Sequence, residues 1–321
     1  EELMQASLDH LVYQEGDEVN LAFGQAPGAV VLIQSPEGSM IQAEGLADVE
    51  NGIGISAYDR LEIGSNTKMF TAVLLTQLLE QGTLALDDTV SQWLPDMADV
   101  VPNSDLITLR QLATHTSGLP DYGDAVIGAG AVDSEALRSG YTPEELVRIA
   151  VEGAPPLFAP GEADRWSYSN TGYILLGMIL EAATGQTYDE LLQQRIFDPL
   201  QMADSELLQG VPEEGSMTQG YFVFPYDINT TEWNGSQGWA AGAIISTAAD
   251  MSKFTGGLMS GALFQNPVSL SMMTDFISSD ENAEVAGVGG QGYGLGLIEF
   301  APGLYGHRGQ TVGYASIVAF D

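Results

Sequence analysis

The amino-acid sequence predicts an α/β fold, in which an antiparallel sheet is flanked by helices and an all-helical lobe is inserted in the middle of the chain. Two observations predict this fold. Strand-like runs are concentrated near both ends, at 29–43 and 293–320, and helix-like periodicity fills the region between them. Because the strands of one sheet must meet in space, we expect the two ends to form one domain.

The expected domain boundaries follow from this arrangement. We predict a discontinuous α/β domain from residues 1–82 and 237–321, and a mainly helical domain from residues 83–236. A chain of 321 residues is long enough to build two such lobes around a large core. A functional site is expected in the cleft between the two domains.

Local signals predict the individual elements. Apolar runs at 29–33 and 40–43 flank the turn Ser35-Pro36-Glu37-Gly38 and predict a β-hairpin. Polar N-caps, an early proline and 3.6-residue periodicity predict the helices. Helices are expected at 3–13, 65–82, 108–113, from 142 onward, and at 168–183, 187–196 and 247–256, with further strands at 241–246, 293–298 and 314–320.

The acidic composition limits the classes of partner. Nine basic residues stand against 44 acidic residues, which gives a formal net charge of −35. Nucleic acid and anionic membrane surfaces would be repelled, and no apolar run reaches the roughly 18 residues that a membrane span needs. The acidic surface has two interpretations: it maintains solubility, or it adapts the protein to high salt, in which self-repulsion is screened.

The missing residue types also carry information. The sequence has no cysteine, so we expect no disulfide and no thiolate metal site. Its histidines (His10, His115, His307) lack the paired spacing of metal ligands, so no metal and no cofactor are predicted. Glu1 to Met4 lack the features of a leader peptide, and we therefore expect a mature periplasmic or secreted chain, with a high-salt environment as an open alternative.

The run Ser65-Asn66-Thr67-Lys68 opens an apolar helix and predicts a nucleophile beside its own base. Positions i and i+3 share a helix face, so the Lys68 amine can lie next to the Ser65 hydroxyl. A lysine whose pKa is lowered in a dry pocket can activate a serine. A solvated lysine at a helix start is the simpler interpretation, but the chain has only two lysines, Lys68 and Lys253.

A second motif, Tyr168-Ser169-Asn170, stands where a loop enters a predicted helix. A tyrosine near a lysine ammonium is expected to lose its proton more easily and to shuttle protons for the serine. The Asn170 amide can donate to a substrate carbonyl and accept from Lys68. By itself, this pattern is better explained as a capped helix start.

A third motif, His307-Arg308-Gly309, lies on a late strand that ends in Gln310-Thr311. A strand edge beside the nucleophile can pair with an extended substrate and offer a backbone N–H to an oxyanion. Gly309 would let that backbone approach closely. A simple turn between two strands is the alternative interpretation.

The ordered set S-x-x-K, Y-x-N and H-x-G resembles the serine DD-peptidase and class C β-lactamase family, which also contains family VIII esterases and D-amino-acid amidohydrolases. The similarity covers nearly the whole chain, including the stretches Leu112 to Pro120 and Ala241 to Met251. The resemblance implies a penicillin-recognising fold of the β-lactamase/transpeptidase type.

The resemblance also implies a role for each motif residue. Ser65 would be the acylated nucleophile, with Lys68 and Tyr168 activating it and passing its proton to the leaving group. Asn170 would orient Lys68 and the substrate amide. His307, where many relatives carry lysine, would tune Tyr168 and the substrate carboxylate.

The same resemblance implies the residues that bind the substrate. The backbone N–H groups of Ser65 and Gln310 would form the oxyanion hole, beside Gly309. Tyr122 would line the cleft. Trp239, which precedes a glycine-rich strand, is a further candidate for the cleft wall, with a core position as the alternative.

The sequence departs from the family pattern in two places. Arg308 replaces the small hydroxyl residue that is usual between His and Gly; it would clamp a substrate carboxylate or, alternatively, point into solvent. The chain also stops at Asp321, where relatives continue with a further strand and a long helix. We therefore expect a C-terminal strand and helix to be missing from this sequence.

The expected function is hydrolysis of D-Ala-D-Ala-type peptides or β-lactams through an acyl-enzyme, as in a DD-peptidase or β-lactamase. A carboxylesterase or a D-amino-acid amidohydrolase with the same residues is the nearest alternative, because the motifs do not separate amide from ester substrates. A catalytically silent module that binds cell-wall peptide is an alternative of another class. The expected partner is a small-molecule or peptide substrate.

Overall fold

A β-hairpin and a third short strand come first in the sheet structure. The computed structural model describes residues 5, 8, 11, 12, 26–123, 125, 126, 134–222, 228–266, 268–278 and 289–321. Strand β1 (Gly28–Ser35) pairs antiparallel with β2 (Gly38–Asp48), and β2 pairs with β3 (Ile53–Gly54). The predicted hairpin is confirmed. Of the helix expected at 3–13, Gln5, Leu8 and Leu11 are helical, and most of that segment lies outside the described residues.

The second feature is a strand that leads directly into a buried helix. Strand β4 (Leu61–Glu62) is followed by a 3₁₀ turn (Gly64–Asn66) and by helix α1 (Thr67–Glu80). Every residue of α1 from Thr67 to Leu78 is buried. A helix that is largely apolar on all sides belongs in the interior, so α1 forms the centre of the main core.

Short helices fill the chain between residues 90 and 200. Their bounds are α2 (Val90–Trp93), α3 (Leu109–Ala113), α4 (Ser134–Arg138), α5 (Pro143–Gly153), α6 (Asn170–Thr184), α7 (Tyr188–Leu192) and α8 (Asp198–Leu200). Capping boxes at Thr89, Thr108, Thr142 and Thr187 fix the N-termini of α2, α3, α5 and α7. In each box the threonine and a Gln or Glu three residues on satisfy free N–H groups reciprocally.

Helix α6 is the second buried helix, and it packs against α1. Its residues from Thr171 to Leu180 are buried. Gly172 allows close packing on α3, because a Cβ there would lie 3.1 Å from Leu112 O. The starts of α1 and α6 carry the first two sequence motifs, so the packing of these helices brings the motifs together.

The chain then returns to strands and helices beside β4. These elements are β5 (Glu206–Leu207), β6 (Tyr221–Phe222), β7 (Ile228–Asn229), α9 (Trp239–Gly242), β8 (Ile244–Ser246), α10 (Ala248–Met259) and α11 (Ser269–Met273). Strand β8 lies between β4 and β5, antiparallel to both. The strand predicted at 241–246 is correct only from Ile244, because Ala241 N–H donates to Gly238 O and Ala243 N–H to Trp239 O in a helical turn.

The last part forms a five-stranded antiparallel sheet in the order β13-β12-β11-β10-β9. The strands are β9 (Ile277–Ser278), β10 (Gly292–Tyr293), β11 (Ile298–Ala301), β12 (Leu304–Gln310) and β13 (Ala315–Phe320). The continuous strand predicted at 293–298 is wrong: Gly294 N–H donates to Leu297 O across a turn in which Gly296 has φ +66°. The antiparallel sheets and flanking helices agree with the predicted fold class.

Strands β12 and β13 pack against the turn that precedes α1. The third sequence motif is on β12 and therefore lies beside the first. Among the helices of the described residues, none is both long and apolar enough to cross a bilayer.

Candidate active site

Ser65 lies in the 3₁₀ turn between β4 and α1. The backbone before it is fixed because Ile63 N–H donates to Ile244 O at 3.0 Å. Gly64 has φ +52°, a conformation that a residue with a side chain rarely adopts. The turn holds Ser65 half-buried at the N-terminal end of α1, where free backbone N–H groups favour a nearby negative charge.

Lys68 is fully buried, one helical turn after Ser65. Its amine has three hydrogen-bond acceptors: Ser65 Oγ at 3.0 Å, Asn170 Oδ1 at 2.7 Å and Ala241 O at 2.8 Å. Burial lowers the pKa of Lys68 to about 7, and the charge of Asp121 opposes this shift. Close to neutral pH, a large fraction of Lys68 is therefore the neutral amine, which can accept a proton.

Tyr168 completes the surroundings of the Ser65 hydroxyl. Its hydroxyl interacts with Ser65, and its ring centroid lies 4.8 Å from Lys68 Nζ. Burial raises the pKa of Tyr168 above its ordinary value. This direction is opposite to the expectation that Lys68 eases loss of the tyrosine proton, because desolvation is the largest effect on the phenol and exceeds the opposing effect of its hydrogen bond with Ser65. Burial thus favours the protonated hydroxyl of Tyr168, which is able to relay a proton.

Asn170 is the first residue of α6 and connects Lys68 to a carboxylate. Its Nδ2 lies 3.0 Å from Asp121 Oδ2 and 3.3 Å from Asp121 Oδ1, and its backbone N–H also donates to Asp121. Gly123 N–H donates to the same carboxylate. The sequence analysis did not select Asp121, although it directly follows the loop segment that ends in Pro120.

A neutral aromatic cluster lies behind Tyr168. His115 Nδ1 accepts the N–H of Ser169 at 3.1 Å, and the His115 ring lies 4.3 Å from that of Tyr168. His307 Nε2 hydrogen-bonds with Tyr293 Oη at 3.0 Å, and its ring centroid is 6.4 Å from that of Tyr168. Burial lowers the pKa of both histidines, to about 3 for His307, so both are neutral near pH 7.

Strand β12 passes close to the turn that carries Ser65. A Cβ on Gly309 would lie 1.9 Å from Ile63 O, and a Cβ on Gly64 would lie 2.6 Å from Gln310 N. The predicted close approach at Gly309 is therefore present. It brings the backbone of Gln310 alongside that of Ser65, the two residues proposed to supply oxyanion-binding N–H groups.

A pocket opens in front of these groups. It is lined by Ser65, Tyr122, Asn170, Trp233, Gly238, Ala241, Gly242, Gln310 and Thr311. Tyr122 is at the wall, as predicted, and its hydroxyl donates to Gln237 O at 2.7 Å.

The tryptophan at the pocket wall is not the one that the sequence analysis selected. Trp233 lines the pocket. Trp239 instead packs on Tyr188, with ring centroids 5.4 Å apart, and over Gly177. The core position that was the alternative interpretation of Trp239 therefore fits its contacts better.

Arg308 lies on the exposed side of β12. Its guanidinium is 5.6 Å from the Phe300 ring centroid and contacts Gly289. The structure gives Arg308 no ion pair with any described carboxylate.

The described residues contain no group of three or more His, Asp or Glu side chains arranged to hold a metal ion. The chemistry of the pocket can be described with the side chains already named. The Ser65 hydroxyl at this pocket contacts a buried amine and a phenol and lies beside the backbone of a strand, an arrangement suited to acyl transfer.

Comparisons with known proteins identify the family of the chain. The chain belongs to the Beta-lactamase family, whose model matches residues 11–321. It is 27% identical over 326 residues to Penicillin-binding protein 4 of Amycolatopsis lactamdurans, covering 96% of this chain and 81% of that protein. It is 33% identical over 210 residues to Esterase EstB of Burkholderia gladioli, covering 62% of this chain and 50% of the esterase. The chain spans less still, 37–39%, of other curated relatives.

Solved structures give the same result. The D-amino acid amidase of Ochrobactrum anthropi SV3, complexed with L-phenylalanine, is 29% identical, with a TM-score of 0.80 over 99% of this chain and 86% of the amidase. The chain therefore has the fold of a family that includes penicillin-binding proteins, an esterase and D-amino acid amidases, and a serine hydrolase function fits this family.

Proposed function

We propose that this protein is a serine hydrolase that forms an acyl-enzyme at Ser65 with substrates built from D-amino acids, either peptides of the D-Ala-D-Ala type or β-lactams. The observation that carries the proposal is the 3.0 Å contact between Ser65 Oγ and the buried amine of Lys68, whose pKa is lowered to about 7. A solvated lysine has a pKa of about 10.4, so it would be protonated near neutral pH and could not act as a base.

Acylation would begin when Ser65 Oγ attacks the substrate carbonyl carbon and its proton passes to Lys68. The carbonyl electron pair moves to the oxygen, where the backbone N–H groups of Ser65 and Gln310 would stabilise the negative charge. The tetrahedral intermediate then expels the leaving group, which receives the proton from Lys68 through Tyr168. Attack by water and a reversed proton path would release the acid and restore Ser65.

Hydrolysis of D-amino acid amides is a second candidate. A specific observation favours it: the structural similarity to the D-amino acid amidase extends over 99% of this chain. Ester hydrolysis is supported by the 33% identity to EstB over a smaller share of the chain. The same Ser65, Lys68 and Tyr168 would serve all three reactions, so only substrates can separate them.

The first experiment is intact-mass spectrometry after incubation with a fluorescent penicillin, with p-nitrophenyl acetate, and with D- and L-phenylalanine amide. A stable penicilloyl adduct would indicate a penicillin-binding peptidase, and rapid loss of penicillin without an adduct would indicate a β-lactamase. Turnover of the D-amide alone would favour an amidase, and turnover of the ester alone an esterase. Ser65→Ala is the control, and activity that survives this change would contradict the proposal.

We further propose that Arg308 binds the carboxylate of peptide substrates. Its exposed guanidinium, fixed against Phe300, is suited to bidentate recognition of a carboxylate. Arg308→Ala should raise the KM for a carboxylate-bearing D-peptide about tenfold or more, since a hydrogen bond to a charged group contributes roughly 1.5–3 kcal/mol. Turnover of p-nitrophenyl acetate, which has no carboxylate, should stay unchanged. Equal effects on both substrates would exclude this role.

We also propose that the protein is periplasmic or secreted. It is supported by the similarity to a penicillin-binding protein, because cell-wall peptides ending in D-amino acids are found outside the cytoplasm. Fractionation of the source cells would test it.

A further inference from the structure

Lys68 has three hydrogen-bond acceptors around it, which is more than the neutral amine can satisfy with its N–H groups. The ammonium has three N–H groups, one for each of Ser65 Oγ, Asn170 Oδ1 and Ala241 O. The neutral amine has two N–H groups and one lone pair. As a base, Lys68 must therefore leave one neighbour without a donated hydrogen bond, and the direction of the lone pair depends on which neighbour that is.

A neighbour that can only accept a hydrogen bond must keep the one that Lys68 donates to it. The Ala241 carbonyl accepts only. The Asn170 amide is different, because its oxygen and its NH2 group have nearly the same shape and either could face Lys68. If the NH2 group faced Lys68, it would donate to the lysine lone pair and compete with the Ser65 hydroxyl.

The carboxylate of Asp121 decides the orientation of the Asn170 amide. A carboxylate has no N–H or O–H to donate, so it accepts from its neighbours. Asn170 Nδ2 lies 3.0 Å and 3.3 Å from its two oxygens, which fixes the NH2 group on the Asp121 side and Oδ1 on the Lys68 side.

Asp121 is itself held in place by backbone donors. The N–H groups of Asn170 and Gly123 both donate to it. A Cβ on Gly123 would lie 2.7 Å from Asp121 Oδ1, so the loop closes tightly around the carboxylate. The carboxylate cannot turn away without losing these hydrogen bonds.

We propose that Asp121 is a positioning residue that aims the Lys68 lone pair at the Ser65 hydroxyl. It makes Asn170 an obligate acceptor, so Asn170 and Ala241 take both N–H groups of the neutral amine and the lone pair is left for Ser65. The inference rests on the proposed acylation of Ser65. When Ser65 Oγ bonds to the carbonyl carbon, its proton moves onto this lone pair, and the resulting ammonium has one N–H for each acceptor.

Other ionisable groups around Lys68 do not supply this orientation. The rings of Tyr168 and Tyr173 lie 4.8 Å and 5.3 Å from Nζ. The charge of Lys68 lowers the pKa of His115 and of His307, but neither histidine is among its hydrogen-bond partners. Asp121 is the carboxylate whose charge acts on Lys68. Asp121→Asn therefore changes both the orientation of the amide and the local charge.

The test compares single-turnover acylation by p-nitrophenyl acetate across pH in a set of variants. In Asp121→Asn, the new NH2 group can donate to Asn170 Oδ1 and turn the amide over. We expect the acylation rate to fall about 100-fold, within the range of general-base catalysis, with substrate binding nearly unchanged. The pH at which the rate is half-maximal should move down, because a negative charge near Lys68 is lost. Asp96→Asn, at an exposed site, is the control for one lost charge.

A double variant separates orientation from folding. In Asp121→Asn with Asn170→Asp, the carboxylate at position 170 accepts both from the new amide at position 121 and from Lys68, so an obligate acceptor again faces the lysine. We expect at least about tenfold recovery over Asp121→Asn, with the half-maximal pH moved up by the adjacent charge. If the single variant does not fold, the double variant decides: acylation within about 30-fold of the unchanged protein supports the proposal, and a slower rate overturns it.

The outcomes also separate this inference from the proposed function. No acylation of the unchanged protein would refute the proposed function. A wild-type rate in folded Asp121→Asn, or no recovery in a folded double variant, would overturn only the role of Asp121.

Discussion

Three ionisable side chains near Lys68 are neutral. His115 and His307 have lowered pKa values, and Tyr168 has a raised one, so none of the three carries a charge near pH 7. The cause is burial in each case, which disfavours the charged form of every group. The proton that moves in the proposed reaction therefore has one ready acceptor, the Lys68 amine.

The lowered pKa of Lys68 predicts a pH dependence. The neutral amine is the active form, so kcat/KM should rise with pH through about 7 and fall about tenfold per unit below it. Lys68→Ala should lower the acylation rate by about 10³-fold, within the range of general-base catalysis. Stopped-flow acylation by p-nitrophenyl acetate would measure both. Lys253→Ala, which removes an ion pair to Asp250 on α10, is the control and should acylate normally; a similar loss there would point to a structural effect.

Glu62 predicts a pH-dependent stability. Its side chain is 2% exposed, and burial raises its pKa from 4.5 to about 8, against a smaller opposing effect of a side-chain contact with Thr311. This contact is weak, because neither carboxyl oxygen has a partner at hydrogen-bond geometry among the described residues. The folded state keeps the proton that the unfolded state loses. The free energy of unfolding should therefore fall as pH rises from about 4.5 to about 8, by roughly 4 kcal/mol in total.

Glu62→Gln removes this titration while preserving the shape of the side chain. Thermal unfolding should show a higher Tm for the variant at about pH 8 and nearly equal Tm values at about pH 4.5, where the unfolded chain also retains much of the proton. Equal Tm values at both pH values would show that Glu62 is ionised or solvated in the folded protein.

At the scale of residues, the sequence alone was sufficient to select side chains whose chemical groups and local spacing suggest a reaction. Ser65 and Lys68 lie three positions apart on one helix, so local periodicity placed them together. Asp121 was missed because its role depends on contact with the start of α6, 49 residues later. Trp233 was missed and Trp239 selected because nothing in the local pattern tells which of two nearby tryptophans faces a pocket.

Among the elements, strand β12 has the strictest geometric requirement. Gly309 and Gly64 face the opposing backbone so closely that a methyl group would overlap it. The separation of β12 from the α1 turn is therefore set by backbone contact. Ser316 on β13 reinforces this contact by donating to Ile63 O at 2.8 Å.

Gly309→Ala tests this requirement. The added Cβ would lie 1.9 Å from Ile63 O, so β12 must move away and carry the Gln310 N–H with it. We expect the acylation rate to fall about 100-fold or more, comparable to the loss of one oxyanion donor. Gly256→Ala is the matched control: nothing lies within 4 Å of its added Cβ on helix α10, so stability should rise by up to about 1 kcal/mol with no change in rate. A normal rate in Gly309→Ala would show that Gln310 does not bind the oxyanion.

The elements that were predicted well are those with a local physical cause. The capped helices at Thr108 and Thr142 and the β1–β2 hairpin have such causes in their own residues. The errors at 241–246 and 293–298 fell on short apolar, glycine-containing runs, where a strand and a helical or turn conformation have similar local preferences. Tertiary contacts decided these segments, and a single sequence does not show them.

At the scale of the whole molecule, the division into 1–82 with 237–321 and 83–236 remains a prediction. The main core includes residues from both parts, with α1 and α6 in contact at its centre. Separate expression of 83–236 would test the division, because this segment must fold alone if it is a domain in the full sense.

The net charge of −35 predicts a dependence on salt. Self-repulsion between acidic groups destabilises the folded state and is screened as ionic strength rises. If the surface is a salt adaptation, the Tm should rise by about 10 °C or more between roughly 0.05 M and 2 M NaCl, a change that corresponds to a few kcal/mol for a chain of this size. Sodium sulfate at equal ionic strength is the comparison that separates screening from salt-specific effects. A flat response would leave solubility as the explanation of the charge.

The contact between β12 and the turn at Gly64 also limits how the pocket can change during evolution. Mutation can replace one side chain by another, but Gly64 and Gly309 have no side chain and leave no space for one. New substrate preferences would have to arise at the walls, through positions such as Trp233 and Thr311. A mutant library for altered selectivity should therefore randomise these wall positions and keep Gly64 and Gly309. The substitutions would then leave the backbone geometry at Ser65 unchanged.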